Sequence, residues 1–286
     1  MIGWHDFKPA LMLLLLICLP WACVTSKSMT VAATAGLLED VAKSANRQSD
    51  LKLVREGMPA YLMLIDGMVA AVPNHARLLI NAAQVYASFA SAFIQAQDTE
   101  YADRLYTKSR EYAFRALERI GLKNPASREF DDFQKALHVL PDRDVPYIFW
   151  AASCWGGWIS LNQRSMAAMA ELPRVELMMA RVLERNEGFY YGGAHIFAGI
   201  LEASKPKMAG GDLEKAREHF LKAIELGNGK FLMSRVYYAE YYARKAFDRD
   251  LFVAILKAVL EIPANIEPDL TLLNTVAHAK ARKMLD

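Results

Sequence analysis

Apolar positions recur along this chain at spacings of three and four, not two. From Ala35 onward, segment after segment carries one apolar face with a period of 3.6 residues, and none shows the alternation of a half-buried strand. The pattern predicts helices over Ala35–Ala45, Leu51–Ala71, Asn74–Gln95, Glu100–Ile120 and Arg128–Leu140. From Asp144 helices and short turns alternate to a last helix over Asp269–Met284. The punctuation agrees. Pro73 and Pro141 stop helices, Asn74 is a suitable N-cap, and Gly121, with Pro125 beyond it, closes the fourth helix.

A finer pattern repeats within the helices. Asp212 caps one in which Ala216, Phe220 and Ala223 fall at i, i+4 and i+7. Small residues there let a partner helix approach, and the aromatic ring fills the groove between. The preceding helix offers the complement: Phe189, Gly192, Gly193 and Ile196. Weaker versions pair Leu79, Ala82, Ala83 and Tyr86 with Ser109, Ala113 and Ala116. Others pair Ile148, Ala151, Ala152 and Trp155 with Val175, Met179 and Val182, and Val236, Ala239, Glu240 and Ala243 with Phe252, Leu256 and Val259. This is the arrangement of tetratricopeptide helix pairs. The steps from Ala116 to Val182, Ala223 and Val259 all exceed the roughly 34 residues of a regular array, so the loops are lengthened. The expected fold is all-α: one domain over 35–286, an array of about four degenerate tetratricopeptide-like helix pairs with insertions. The longest insertion holds a helix around Phe130–Val139.

The start of the chain reads differently. Ala10–Leu19 is unbroken apolar sequence following Lys8, about half the length of a membrane span, as in the core of a secretion signal. Pro20-Trp21-Ala22-Cys23 resembles a bacterial lipobox, departing from it at Pro20, where leucine is usual. A signal peptide over 1–22, lipid attachment at Cys23 and a tether over 23–34 are expected; a plain cleaved signal and an uncleaved anchor are the alternatives. Cys154 is then left alone in an apolar run, which excludes an internal disulfide and suits a buried, inert thiol.

Charge removes one class of function. Lys and Arg number 34 against 32 Asp and Glu over 286 residues, and a balance this near zero supplies no field for nucleic acid. Catalytic patterns are not found either: the histidines lack a His-Glu-x-x-His spacing, there is no Cys-x-x-Cys, and Ser153 and Ser165 have no Gly-x-Ser-x-Gly elbow. No enzyme activity, metal or cofactor is expected. What remains is aromatic. Trp150, Trp155 and Trp158 crowd the apolar Tyr147–Leu161 segment, and four tyrosines lie between Arg235 and Arg244. Core packing is the plain reading of the rings, and a solvated i, i+4 ion pair that of Glu240 and Arg244. The functional reading is a central cleft lined by the first helices of the pairs. Its candidate residues are Trp155, Tyr190, His195, Tyr238 and Tyr242, with Arg235 and Glu240 as the charged members, and it would suit a small, partly apolar ligand.

A series of short words, in order, extends the picture. They are Asp144-Val145-Pro146, Trp150-Ala151-Ala152, Trp155-Gly156-Gly157-Trp158, Leu172-Pro173-Arg174-Val175 and Tyr191-Gly192-Gly193-Ala194-His195. Further on come Gly210-Gly211-Asp212, Gly229-Lys230-Phe231-Leu232, Tyr238-Ala239-Glu240-Tyr241-Tyr242-Ala243 and Asp250-Leu251-Phe252. Together they resemble the T component of tripartite ATP-independent periplasmic (TRAP) transporters, closely over Asp144–Arg282 and in outline before it. The resemblance implies a helical periplasmic lipoprotein working beside the solute-binding P component, with a homotrimer among its assemblies and a cleft or pore for small ligands. Val24 after Cys23 lacks the aspartate associated with inner-membrane retention, which makes the outer membrane the expected address. The rival reading is a repeat scaffold for another envelope assembly.

Overall fold

The computed structural model describes residues 40–286; the signal, Cys23, the tether and the start of the helix expected at Ala35–Ala45 lie outside the described residues. Every regular element among the described residues is helical. After a short helix over 40–46, α1 spans Leu51–Ala71, α2 Ala76–Phe89, α3 Thr99–Arg119, α4 Phe130–His138, α5 Val145–Leu161 and α6 Met166–Met169. Then come α7 (Leu172–Asn186), α8 (Phe189–Ser204), α9 (Leu213–Leu226), α10 (Leu232–Tyr237), α11 (Arg249–Glu261) and α12 (Thr271–Leu285).

Side chains set several of the starts. Asp50, Asp98, Asp212 and Asp248 each accept hydrogen bonds from backbone N–H groups of the turn that follows, satisfying donors that a helix start leaves open. At α2 the cap is His75, not Asn74: its Nδ1 accepts from the Leu78 N–H at 3.1 Å. Nor does an α-helix run unbroken to Gln95. The chain widens into a π-helical turn over Ala90–Ile94, and again after α10 over Tyr238–Ala243.

The small-residue pattern marks the contacts. α2 packs on α3, α5 on α7, α8 on α9, and α10 with its π-helical extension on α11. Each second helix also packs on the first helix of the next pair. Ala82, Ala83, Ala113, Ala116, Ala151, Ala152, Ala216, Ala223, Ala239 and Ala243 are completely buried there, since only a methyl group fits between helices this close. At one end α1 lies on α2, held by Asp66, which accepts from Tyr86 Oη at 2.9 Å and Tyr112 Oη at 2.6 Å. At the other end α12 covers α10 and α11. The two ends meet: α12 touches α1, Arg47 Nε donates to Asp269 at 2.7 Å, and Leu51 and Phe93 pack into the C-terminal apolar cluster.

The core divides inside α8, where Ala194 belongs to the cluster around α2–α7 and Ile196 to the C-terminal one. Here the sequence pattern needs correction. Tyr190, Tyr191 and Gly192 have φ of 47°, 58° and 72°, a left-handed turn, so Phe189 is not in helical register with Ile196. At Gly192 the reason is packing, because a Cβ would stand 3.0 Å from the Ala223 Cα. The two tyrosines adopt a backbone that costs L-residues about 1–2 kcal/mol each, and the burial of their rings offsets it.

Candidate functional site

The left-handed turn carries the Tyr190 ring among those of Phe149, Trp150 and Phe231, with centroids 5.6, 4.6 and 6.0 Å away. Phe149 approaches because Gly193 has no Cβ in its path, and the Tyr106 ring lies where a Cβ on Gly157 would be. The wide turn after α10 sets Tyr237 and Tyr241 together, centroids 6.0 Å apart, and the Lys280 ammonium lies 5.3 Å from the Tyr237 ring centroid. Tyr106, Tyr190 and Tyr241 all lie within electrostatic reach of Tyr237, and Glu240 is within reach of both Tyr237 and Tyr241. Residues distant in sequence, from α3, α8 and the α10 extension, thus converge on one centre.

That centre is half-buried: Tyr106 is inside, while Tyr190, Tyr237, Glu240 and Tyr241 are partly exposed. Tyr106 Oη is 3.3 Å from Gln95 Oε1. Among the described residues the hydroxyls of Tyr190, Tyr237 and Tyr241 have no hydrogen-bond partner. Yet the sealed and unpartnered side-chain polar atoms among the described residues are the Nε atoms of Arg110, Arg174, Arg181 and Arg235, with no tyrosine among them. These three hydroxyls therefore keep contact with solvent. Burial, reinforced by Glu240, pushes Tyr237 and Tyr241 up to about 12, and burial raises Tyr106 and Tyr190 as well. All four stay neutral at physiological pH, able both to donate and to accept.

The residues singled out in the sequence occupy separate places. Tyr190 and Glu240 are at the centre. Tyr238 and Tyr242 lie against α9: their rings stack 5.1 Å apart, Tyr238 meets Phe220 and Arg217, and Tyr242 Oη is 3.5 Å from Glu214. Trp155 is completely buried. Its Nε1 donates to Glu171 at 2.6 Å, and its ring stands edge-on to Phe114 at 4.6 Å. Arg110 grips the same carboxylate and lies over the rings of Phe114 and Trp158. His195 meets His219, Nδ1 to Nδ1, at 2.9 Å, and its Nε2 is 3.3 Å from Glu187. The Arg235 guanidinium sits beside Gly229 in the turn before α10. Among the described residues no ion pair joins Glu240 and Arg244, because the π-helical turn changes their relative angle; Arg244 lies over Phe252 at 5.5 Å.

Sequence reasoning missed Tyr106, Tyr237 and Tyr241. Tyr237 and Tyr241 are four apart, as are Tyr238 and Tyr242, so periodicity offered two equivalent pairs without saying which would meet Tyr106 and Tyr190. Elsewhere, burial pushes the Cys154 thiol up to about 12, which leaves it unreactive. No group of three potential metal ligands stands together among the described residues, and no described helix is long and apolar enough to cross a membrane. Two shallow hollows lie away from the centre. One, of about 170 Å³, is lined by Leu137, His138 and Arg181; the other, of about 470 Å³, by Arg47, Ser49, Asn265 and Thr271 where the chain ends meet.

A family model described as "TRAP transporter T-component" matches residues 47–286, from just before α1 to the end of α12. A protein of Treponema pallidum (strain Nichols), described as "Uncharacterized protein", is 22% identical over 261 residues, covering 85% of this chain and 80% of that one. The family match spans the helical array and its central tyrosines, and it settles the lineage: the chain belongs to the TRAP transporter T-component family.

Proposed function

We propose that this T component is a non-enzymatic periplasmic accessory that docks the solute-binding P component of its transporter and holds a small, partly hydrophobic ligand in the tyrosine-lined centre. A signal over 1–22, acylation at Cys23, a tether over 23–34 and one domain over 35–286 complete the reading, with a homotrimer as its assembly and the outer membrane as its address.

One observation carries the ligand half: the Tyr190, Tyr237 and Tyr241 side chains gather half-buried, and their hydroxyls have no protein partner among the described residues and keep contact with solvent. In a dry core each unpartnered hydroxyl would cost about 1–3 kcal/mol, so the site favours an occupant, water or ligand. The ring faces offer apolar area, while the hydroxyls and Glu240 fix orientation. Tyr190 and Glu240 contact the ligand directly in this reading. Trp155, Tyr238 and Tyr242 stiffen the walls, and His195 and Arg235 stand at the ends of the helices that form them.

The scaffold reading draws on the solid packing around Trp155, whose ring and Nε1 are fully engaged. One experiment separates the two. The full chain is captured from solubilised membranes, and its co-purifying proteins and small molecules are identified by mass spectrometry. A TRAP solute-binding protein together with a small molecule, the latter lost in Tyr190→Ala/Tyr237→Ala, supports the proposal. Recovery of other envelope proteins alone supports the scaffold. Palmitate labelling that persists in Cys23→Ser would remove the lipid anchor from either reading.

A further inference from the structure

The turns within the second, third and fourth helix pairs, residues 162–171, 205–212 and 244–248, form one continuous edge. Lys205 Nζ lies 3.0 Å from Glu176 at the start of α7, and Tyr242 Oη lies 3.5 Å from Glu214 at the start of α9, so neighbouring pairs are joined beside these turns. Each turn lifts a large apolar side chain into solvent: Met166 is 89% exposed, Met208 103% and Phe247 94%. Phe247 does so with φ of 55°, a left-handed backbone that a bulky residue adopts only under strain and a glycine would adopt freely.

Every apolar tip has a cation within two residues. Arg164 precedes Met166, Lys207 adjoins Met208, and Lys245 and Arg249 flank Phe247, all four exposed. Among the described residues none of the four is paired with an acid. Most acidic groups of the edge are engaged elsewhere. Asp212 and Asp248 cap helices, Glu176 holds Lys205, and Glu171 holds Arg110 and Trp155; Asp250 and Glu214 remain.

We infer that this edge lies on an anionic bilayer surface, with Met166, Met208 and Phe247 entering the boundary between headgroups and acyl chains while Arg164, Lys207, Lys245 and Arg249 rest on lipid phosphates. Three separate convex tips make a poor protein interface, which needs a continuous patch with anchors seated in pockets. A fluid bilayer closes around each tip independently, and unpaired cations beside the tips select acidic lipid. The inference goes beyond the transport reading, because it requires neither ligand nor P component. It also orients the array, turning the inner-pair turns toward the lipid.

The test places the photo-crosslinking residue p-benzoylphenylalanine at position 166, 208 or 247 of the full chain. Val139, 77% exposed in the connection between the first two pairs, is the reference position. Each protein is irradiated with vesicles of phosphatidylcholine and phosphatidylglycerol that contain no other protein, and adducts are read by mass spectrometry. Lipid adducts are expected at the three tips and not at 139. The surface variant R164Q/K207Q/K245Q/R249Q should reduce them by roughly tenfold or more with helicity unchanged. Adducts absent from the tips, equal at 139, or insensitive to loss of the four cations would overturn the proposal. So would tip adducts that form in native membranes only to an acidic protein.

Discussion

Two aromatic centres in this molecule are built from similar parts and end in opposite states. Around Trp155, tryptophan and phenylalanine rings surround a carboxylate and a guanidinium, and the polar groups meet: Glu171 accepts from both Trp155 and Arg110. Around Tyr237, Tyr106, Tyr190 and Tyr241 gather, with Glu240 beside Tyr237 and Tyr241, and three hydroxyls have no protein partner among the described residues. A buried polar group is stable when bonded to protein or to something that enters from outside. The first centre is closed over except for Arg110 Nε, and its carboxylate is engaged by protein on both sides, so it is structure. The second is incomplete without water or a ligand, so it is where function is sought.

The sharpest way to break this contrast is to truncate each centre. Trp155→Ala removes a fully buried ring and leaves Glu171 and Arg110 short of a neighbour. It should cost about 3–5 kcal/mol in urea unfolding. A loss below 1 kcal/mol would show the first centre to be as loose as the second.

Next in size is the close contact that lets the second centre exist. Ala223 is completely buried where the left-handed Gly192 passes, and that turn aims Tyr190 inward. Ala223→Phe should destabilise by about 1–3 kcal/mol through overpacking and should shift the near-ultraviolet signal of the tyrosines. Unaltered thermal stability would mean that α8 and α9 can part without cost, and that the turn is not held by this contact.

The helices, their pairing and the alanines between them could be read from the sequence because each follows from regular 3.6-residue geometry. α1 matches its expected Leu51–Ala71 span, and Asp212 caps α9 as its spacing suggests. The centre could be read only in part, because it depends on departures from that geometry. A π-helical turn sets Tyr237 and Tyr241 toward Tyr106 and Tyr190 while Tyr238 and Tyr242 bury against α9, and three left-handed residues place Tyr190. Neither departure leaves a periodic trace. Tyr106 joins the centre from a distant helix through the gap at Gly157, a contact that no local pattern encodes.

Removing only hydroxyls separates stability from function. Tyr237→Phe/Tyr241→Phe keeps the rings and deletes two unpartnered polar groups. Folding stability should stay within about 1 kcal/mol of the parent in urea unfolding or rise slightly. Retention of the co-purified small molecule in mass spectrometry should fall. Equal retention would place the ligand elsewhere and make the second centre merely a wetter version of the first.

The smallest expected effect comes from a third polar pair on the far side of α8, and it grades between the two centres. His195 and His219 face each other Nδ1 to Nδ1 at 2.9 Å, with Glu187 on the other nitrogen of His195. One arrangement satisfies both contacts: His195 donates from Nε2 to Glu187 and accepts at Nδ1 from the Nδ1–H of His219. Burial first, and then the charge on His195, hold His219 below the ordinary value; Lys215 adds to this, while Glu202 and Glu218 oppose it. The unfolded chain therefore takes up the proton more readily. Stability should be complete above the ordinary value near 6.5 and should decline as pH falls below it. His219 is partly open to solvent, which screens the effect to well under about 1 kcal/mol. Urea midpoints measured between pH 7.5 and pH 5 should fall slightly more for the parent than for His219→Gln. Identical slopes would mean that protonating His219 costs the fold nothing, and that this pair, unlike the tyrosine centre, does not depend on what surrounds it.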